Sequence, residues 1–312
     1  MKKKRIVIAG GSGFIGTALA HDWYLQNGEV VVLTRKPQPR KDGVIEVEWS
    51  GEHMGEWMQY LDGAEAVINL TGKNVNCRHT PENIREMTES RVQSVRAIAL
   101  ALSHVKTPPR VWIQASAVGY YGNTRDRICD ETALNGAGPL ADICRQWESA
   151  FNTLQVPKTR KVLFRIGFVL GRYGGAMPVL TKLTKWFLGG HVGDGKQYVS
   201  WIHLEDLLRM FWGSMDQNDL TGTFNAVGPN PVRNDEFMRE LRHVLNRPWS
   251  PPAPKWAVKL GAKMMGSEAD LALDGCRAAP KRLLDAGFQF DFPDLPVALK
   301  NVFSPGYAGP KK

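Results

Sequence analysis

The chain has 312 residues, 43% of them hydrophobic and 23% charged, with a formal net charge of +9. This is the composition of an ordinary globular protein, long enough for one large α/β domain and a smaller appended lobe. Six of the positive charges lie at the ends, in Lys2-Lys3-Lys4-Arg5 and Lys311-Lys312, and no long basic run is interleaved with aromatics, so nucleic acid is not an expected partner.

Cys77, Cys129, Cys144 and Cys276 show no paired spacing. Neither a disulfide framework nor a metal site is expected, and a reducing, cytoplasmic setting fits. The apolar run after the basic N-terminus is too short for a signal peptide. No segment approaches the ~20 apolar residues that span a bilayer, and no membrane partner is expected.

Ile6 to Ala9 reads as a buried strand running into Gly10-Gly11-Ser12-Gly13-Phe14-Ile15-Gly16. An amphipathic helix follows and stops at Asn27-Gly28, where glycine can adopt the left-handed conformation. Val30 to Leu33 is a second strand. Strand, glycine turn, helix and strand make a dinucleotide-binding unit, with the pyrophosphate on the helix N-terminus. Gly11, Gly13 and Gly16 satisfy G-x-G-x-x-G, and Gly10, Gly13 and Gly16 satisfy the longer G-x-x-G-x-x-G.

Thr34-Arg35-Lys36 ends the second strand, where an acid would select a free ribose 2′-hydroxyl and arginine a 2′-phosphate. Arg35 therefore points to NADP(H); the alternative is a solvated basic loop continuing to Lys41.

Val44 to Trp49 reads as a strand, Met54 to Leu61 as a short helix, and Ala66 to Leu70 as a strand ending at Thr71-Gly72, on the edge where ligands bind. A helix is expected from Pro81 to His104, a strand from Arg110 to Ser116, a helix over 140–155 and a strand from Val162 to Ile166. Gly171 to Ser200 reads as an irregular, glycine-rich lid or binding wall. Trp201 to Asp206 begins a helix, Thr223 to Val227 is a strand, and Asn234 to Asn246 is helical. The expected organisation is a doubly wound α/β domain over 1–230 with lid and substrate elements from 171 onward, a small C-terminal domain over 247–303, and a disordered tail over 304–312.

The glycine motif, Asn69-Leu70-Thr71-Gly72, Ser116 to Gly122, Arg165-x-Gly167-x-Val169-Leu170-Gly171 and Trp201-Ile202-His203-x-x-Asp206 resemble the atypical extended short-chain dehydrogenases. Within these the resemblance is to the YfcH-like epimerase subgroup with a C-terminal domain of unknown function, through Arg277-x-x-Pro280-Lys281-Arg282-Leu283 and Gly287-Phe288. The resemblance implies a Rossmann fold with NADP(H) at the strand ends. It places Thr34 and Arg35 on the adenosine phosphate, and Leu70 and Thr71 along the adenine and ribose. Glu86 and Arg91 would reach inward from the next helix, with Ala115 and Ser116 beside the nicotinamide.

The usual Tyr-x-x-x-Lys pair is missing. Aligning Glu148 with the family glutamate puts Leu140 and Cys144 in those two places, and neither can move a proton at neutral pH. Tyr120, Tyr121 and Ser116 are the remaining candidates. Each has a structural alternative: aromatic packing for the tyrosines, a strand-end cap for the serine. His203, Asp130 and Glu131 read as packing or capping residues. Two functions stay open: an NADP(H)-dependent oxidoreductase or epimerase of an unidentified small polar substrate, or a catalytically silent NADPH sensor. The oligomeric state is left open.

Overall fold

The structure, a computed structural model, describes residues 3–307 and 309. The apolar runs found in the sequence pair in parallel, and their buried residues show no alternation because helices cover both faces. Strands β1 (Arg5–Ala9), β2 (Glu29–Thr34), β3 (Ile45–Glu48), β4 (Ala66–Asn69), β5 (Val111–Ala117), β6 (Arg160–Ile166) and β7 (Gly222–Ala226) form one sheet. Its order is β7-β6-β5-β4-β1-β2-β3, parallel throughout. The order reverses between β1 and β4, so the chains leaving their carboxyl ends diverge and open a crevice. This is the expected doubly wound architecture.

Helix α1 (Phe14–Leu25) follows the glycine turn, and α2 (Pro81–His104) follows the β4 loop. Thr80 caps α2 by accepting from the Asn83 N–H at 3.2 Å, and Pro81 occupies the first turn, where a missing N–H has no consequence. Helix α3 (Pro139–Thr153) turns Ala141, Cys144, Glu148 and Phe151 inward.

Several local expectations change. The left-handed residue after α1 is Asn27, with φ 62°, and not Gly28. The expected helix over Met54 to Leu61 is a single 3-10 turn, Glu56–Tyr60. Gly171 to Ser200 is not irregular throughout, since it contains α4 (Met177–Lys185), with Pro178 in its first turn. Trp201–His203 is a short strand paired with Phe168–Leu170, and α5 (Leu204–Asp216) starts only after it. His203 caps α5, its Nδ1 accepting from the Glu205 N–H at 3.2 Å, and its ring stacks on Phe292 at 3.9 Å. Burial pushes this imidazole down to about 4, so it is neutral near pH 7.

Helix α6 (Asn234–Val244) and the helix Leu295–Val302 build a second core around Trp201, Phe237 and Leu299. Helix α7 (Lys255–Met264) lies on the surface of this lobe. Of the expected tail, residues 308 and 310–312 lie outside the described residues, while Tyr307 is buried in the second core. No described helix is long and apolar enough to cross a membrane.

The approach of α1 to the turn depends on Gly16, where a Cβ would stand 2.5 Å from Gly11 Cα. Gly16→Ala is therefore expected to lower the unfolding free energy by about 1–3 kcal/mol, the usual cost of overpacking. Urea denaturation checks this; an unchanged midpoint would show that the turn yields without penalty.

Candidate functional site

The crevice begins at the glycine turn. Gly10 has φ +71°, and a Cβ there would lie 2.9 Å from the Thr71 amide nitrogen, so the turn after β1 and the loop after β4 touch through backbone alone. Gly11 and Gly16 are likewise crowded by protein atoms. Gly13 differs: its φ is −80°, and a Cβ would meet nothing nearer than Gly10 O at 3.7 Å. Nothing in the chain itself requires glycine at that position. Gly13 is also the N-cap of α1, with no side-chain cap and no acid in the first turn. The open N–H groups and the positive end of the helix dipole therefore face the crevice uncompensated. Ser12 is exposed, Ile15 packs on the main core, and the Phe14 ring fits against the backbone of Gly174, where a Cβ would be 2.1 Å away.

At the end of β2, Thr34 is half-buried and Arg35 exposed. Among the described residues Arg35 makes no hydrogen bond or ion pair, whereas its neighbour Arg40 is held by Asp42 and by Glu46 at 3.2 Å. At the end of β4, the buried Asn69 amide donates to Ser94 Oγ at 3.1 Å and Gln114 Oε1 at 3.0 Å, and its Oδ1 accepts from the Thr71 N–H at 3.0 Å. This fixes Leu70, Thr71 and Gly72. Among the described residues the buried Thr71 hydroxyl has no hydrogen-bond partner.

Arg91 lies over the ring of Trp147 at 5.0 Å and donates to Met87 O at 2.8 Å and Lys73 O at 3.1 Å. It does reach the β4 loop from α2, but as a clamp on that loop's backbone; burial lowers its guanidinium below the ordinary range. Glu86 does not point into a buried site: it is exposed and pairs with Lys73, which holds its carboxyl below the usual range.

The carboxyl end of β5 carries the densest polar cluster. Ser116 Oγ donates to Glu148 Oε1 at 2.7 Å, and the Arg165 fork donates to both Glu148 oxygens, at 2.9 Å and 2.7 Å. The paired side chains are only 6% and 5% exposed. Burial would lower the Arg165 guanidinium, but the Glu148 carboxylate outweighs it and keeps the group charged. Arg165 also donates to Tyr121 Oη at 2.8 Å, and that hydroxyl donates to Asn225 Oδ1 at 2.7 Å. Burial pushes the Tyr121 phenol up to about 12. Ser116 and Tyr121 are thus engaged inside the protein.

Tyr120 stands apart. Its ring lies on the Arg165 guanidinium at 3.6 Å and meets Tyr121 edge-on at 5.4 Å, yet its half-buried side chain makes no hydrogen bond among the described residues. Beside it, a Cβ on Gly119 would lie 3.8 Å from Leu140 and 3.9 Å from Cys144 Sγ, the face where the family pair would stand. Burial, aided by Glu148, pushes the Cys144 thiol up to about 11, which makes it inert near neutral pH.

Glu148 and Arg165 appear in the sequence as motif members without a role. The available signal is the i, i+4 spacing of Cys144 and Glu148 on α3. Glu131 is an organiser too, accepting from the Asn225 N–H at 3.0 Å and the Arg282 N–H at 3.2 Å, while Asp130 closes a local turn onto Thr132.

The NAD dependent epimerase/dehydratase family matches residues 6–228, and a domain of unknown function (DUF1731) matches residues 253–302. An epimerase family protein of Mycobacterium leprae is 36% identical over 301 residues, covering 96% of this chain and 95% of that protein. The crystal structure of the human epimerase family protein SDR39U1 (isoform 2) with NADPH superposes with a TM-score of 0.85 at 31% identity, covering 96% of this chain and 98% of that one. A nucleoside-diphosphate sugar epimerase from Corynebacterium glutamicum superposes with a TM-score of 0.75 at 29% identity, over 96% of this chain and 57% of that one. The chain belongs to the NAD dependent epimerase/dehydratase family.

Removing one member of the buried pair leaves the other charge uncompensated. Glu148→Gln is expected to destabilise the fold by about 3–5 kcal/mol in chemical denaturation. A loss below about 1 kcal/mol would mean that water already solvates Arg165.

Proposed function

We propose that this family member binds NADP(H) across the carboxyl ends of β1, β2 and β4 and reduces an unidentified small polar carbonyl compound or activated double bond. The observation that carries the cofactor half is Gly13. Protein packing accounts for the glycines at 10, 11 and 16, whereas the one at 13 leaves its side-chain space open to an external group. The residues present suit a dinucleotide phosphate: uncapped N–H groups at the start of α1 after β1, Arg35 at the end of neighbouring β2, and the Thr71 hydroxyl after β4 on the other side of β1. The NADPH in the human relative's crystal structure supports the same assignment.

A bound nicotinamide would supply hydride; the chain's own residues must bind, orient and protonate. Of the three hydroxyls at the end of β5, Ser116 and Tyr121 are committed to the buried network, which favours Tyr120 as the proton donor. A phenol donates more readily than it accepts at neutral pH, so reduction is favoured over alcohol oxidation. The Arg165–Glu148 pair fixes the ring through the stacked guanidinium, and Leu140 and Cys144 leave that wall of the site apolar.

A second reading is an NADPH-responsive binding protein without turnover. The inert Cys144 and apolar Leu140 in the family's catalytic places favour it. A panel of carbonyl compounds, enones and nucleotide sugars separates the two. NADPH consumption with any member supports the first; no turnover, together with NADPH-dependent association with a protein partner, supports the second.

Arg35→Glu should weaken NADPH binding roughly 10- to 100-fold, the worth of a hydrogen bond to a charged group, and change NADH binding far less. Gly13→Val should abolish binding of both cofactors without unfolding the chain. Equal affinities for NADPH and NADH in the unmutated protein, measured by titration calorimetry, would overturn the assignment. For the chemical step, Tyr120→Phe should remove turnover at unchanged NADPH affinity; retained turnover would eliminate Tyr120 as donor.

A further inference from the structure

The C-terminal lobe carries an exposed surface that neither the crevice nor the cores use. On α7, two rows run side by side at i, i+4, i+8 spacing: Lys255, Lys259 and Lys263, and next to them Trp256, Leu260 and Met264. The apolar row is not buried: Trp256 is 70% exposed and Met264 80%. The opposite side of the helix, at Ala262, packs on the protein.

A second apolar group lies beside this helix. Helix α4 ends in Trp186-Phe187-Leu188, with Trp186 73% exposed. Phe187 takes φ 59° in the turn, a conformation costly for a bulky residue and usual for glycine or asparagine. An aromatic ring is thus held out to solvent where a small polar residue would be easier to accommodate. The two groups are laced together. Arg247 donates to Lys185 O at 3.2 Å and lies over the Phe187 ring, Val192 bridges to Ala253, and a Cβ on Gly193 would touch Lys255 at 3.4 Å. Trp249, 67% exposed, lies in the segment between Arg247 and α7.

The charge of this surface is net positive, although Asp194 lies within coulombic reach of Lys255, and Glu268 and Asp270 share a cleft with Lys259 and Lys263. Residues 173–193 and 241–267 contain no Asp or Glu, yet they hold Lys182, Lys185, Arg242, Arg247 and the three lysines of α7. An isologous contact with a second copy would set one net positive surface against another. A phosphate backbone would satisfy the cations but offer little to Leu260, Leu188 and Met264. Indoles and aliphatic side chains framed by lysines suit the boundary between headgroups and acyl chains, where the rings lie in the interface and the ammonium groups reach anionic phosphates.

We propose that α7, together with the Trp186–Leu188 tip and Trp249, forms a docking surface for an anionic lipid bilayer, so that the protein binds membranes peripherally through its C-terminal lobe. The expectation of no membrane partner rested on the lack of a spanning segment, which does not address surface binding.

Sedimentation of the full chain with vesicles tests this. Vesicles containing phosphatidylglycerol should bind the protein, and raised salt should weaken the binding; pure phosphatidylcholine vesicles should bind it weakly. The combined variant Lys255→Gln, Lys259→Gln, Lys263→Gln should bind anionic vesicles roughly 100-fold more weakly, at about five-fold per lysine, with an unchanged thermal midpoint. Trp256→Ser should weaken binding even at low salt. No binding to anionic vesicles would overturn the proposal. So would vesicle binding that the lysine variant leaves unchanged, or burial of Trp256 in a concentration-dependent dimer.

Discussion

The buried pair of Glu148 and Arg165 is the constraint around which the functional end of the sheet is arranged. Two opposite charges with side chains about one-twentieth exposed are tolerable inside a protein only when their polar atoms are engaged. Here the carboxylate accepts from the Arg165 fork and the Ser116 hydroxyl, and the remaining arginine arm donates to Tyr121. Tyr121 passes the requirement to Asn225 on β7, whose side chain donates to Cys129 O and Ala279 O. One desolvated pair thereby ties α3, β5, β6, β7 and, through Ala279, the C-terminal lobe into a single network. The same network decides what is left for chemistry, since every hydroxyl that joins it is withdrawn from the crevice. Tyr120 stays outside because it contributes only the face of its ring.

Much of the frame was legible in the sequence because it depends on local chemistry. Fully buried parallel strands read as unbroken apolar runs, Thr80 and Pro81 mark the start of a helix, and the glycine spacing marks a phosphate turn. The failures have a common cause. The sequence of Trp201–His203 reads as a helix start, yet it is a strand because Phe168–Leu170 lies beside it. A three-residue strand is defined by its partner, which no local pattern encodes. Helix α4 was missed because glycine pairs on both sides made a nine-residue helix look like loop. Those glycines serve packing: Gly174 admits the Phe14 ring, and Gly190 passes Pro251 O, where a Cβ would stand at 1.8 Å.

The site was legible in outline and not in its division of labour. Gly10, Gly13 and Gly16 are equivalent in a motif; only the surrounding atoms show that two are crowded by the fold while the third has open space beside it. Tyr120 and Tyr121 are adjacent and chemically identical in sequence, but the 3-10 turn Val118–Tyr121 sends one ring into the core and leaves the other half-exposed. The partners of Glu86 and Arg91 are hidden in the sequence for a related reason. Lys73 and the backbone around it claimed both side chains, and a loop of 73–80 gives no sequence sign of where its cation and carbonyls will lie. Charge showed the same limit. Six of the positive charges sit at the termini, while cations on two segments nearly fifty residues apart are brought near one another only when the lobe folds.

The two halves of the molecule are also joined at the point where the cofactor turn begins. Phe14, the first residue of α1, is gripped by Gly171 and Gly174, and a Cβ on Gly171 would lie 3.3 Å from the hydroxyl of Tyr307. Tyr307 belongs to the second core, with Trp201 and Leu299, so the chain's last packed aromatic rests within one residue's reach of the phosphate turn. Burial pushes its phenol up to about 12, against the lowering effect of the Arg172 backbone. The ring fills the space between the Gly171 loop and the C-terminal helix, and its apolar packing holds the two together. Rigid packing of this kind transmits displacement instead of absorbing it. The turn that would receive a dinucleotide and the lobe that would receive a substrate are therefore parts of one packed body, with Phe14 as the contact between them.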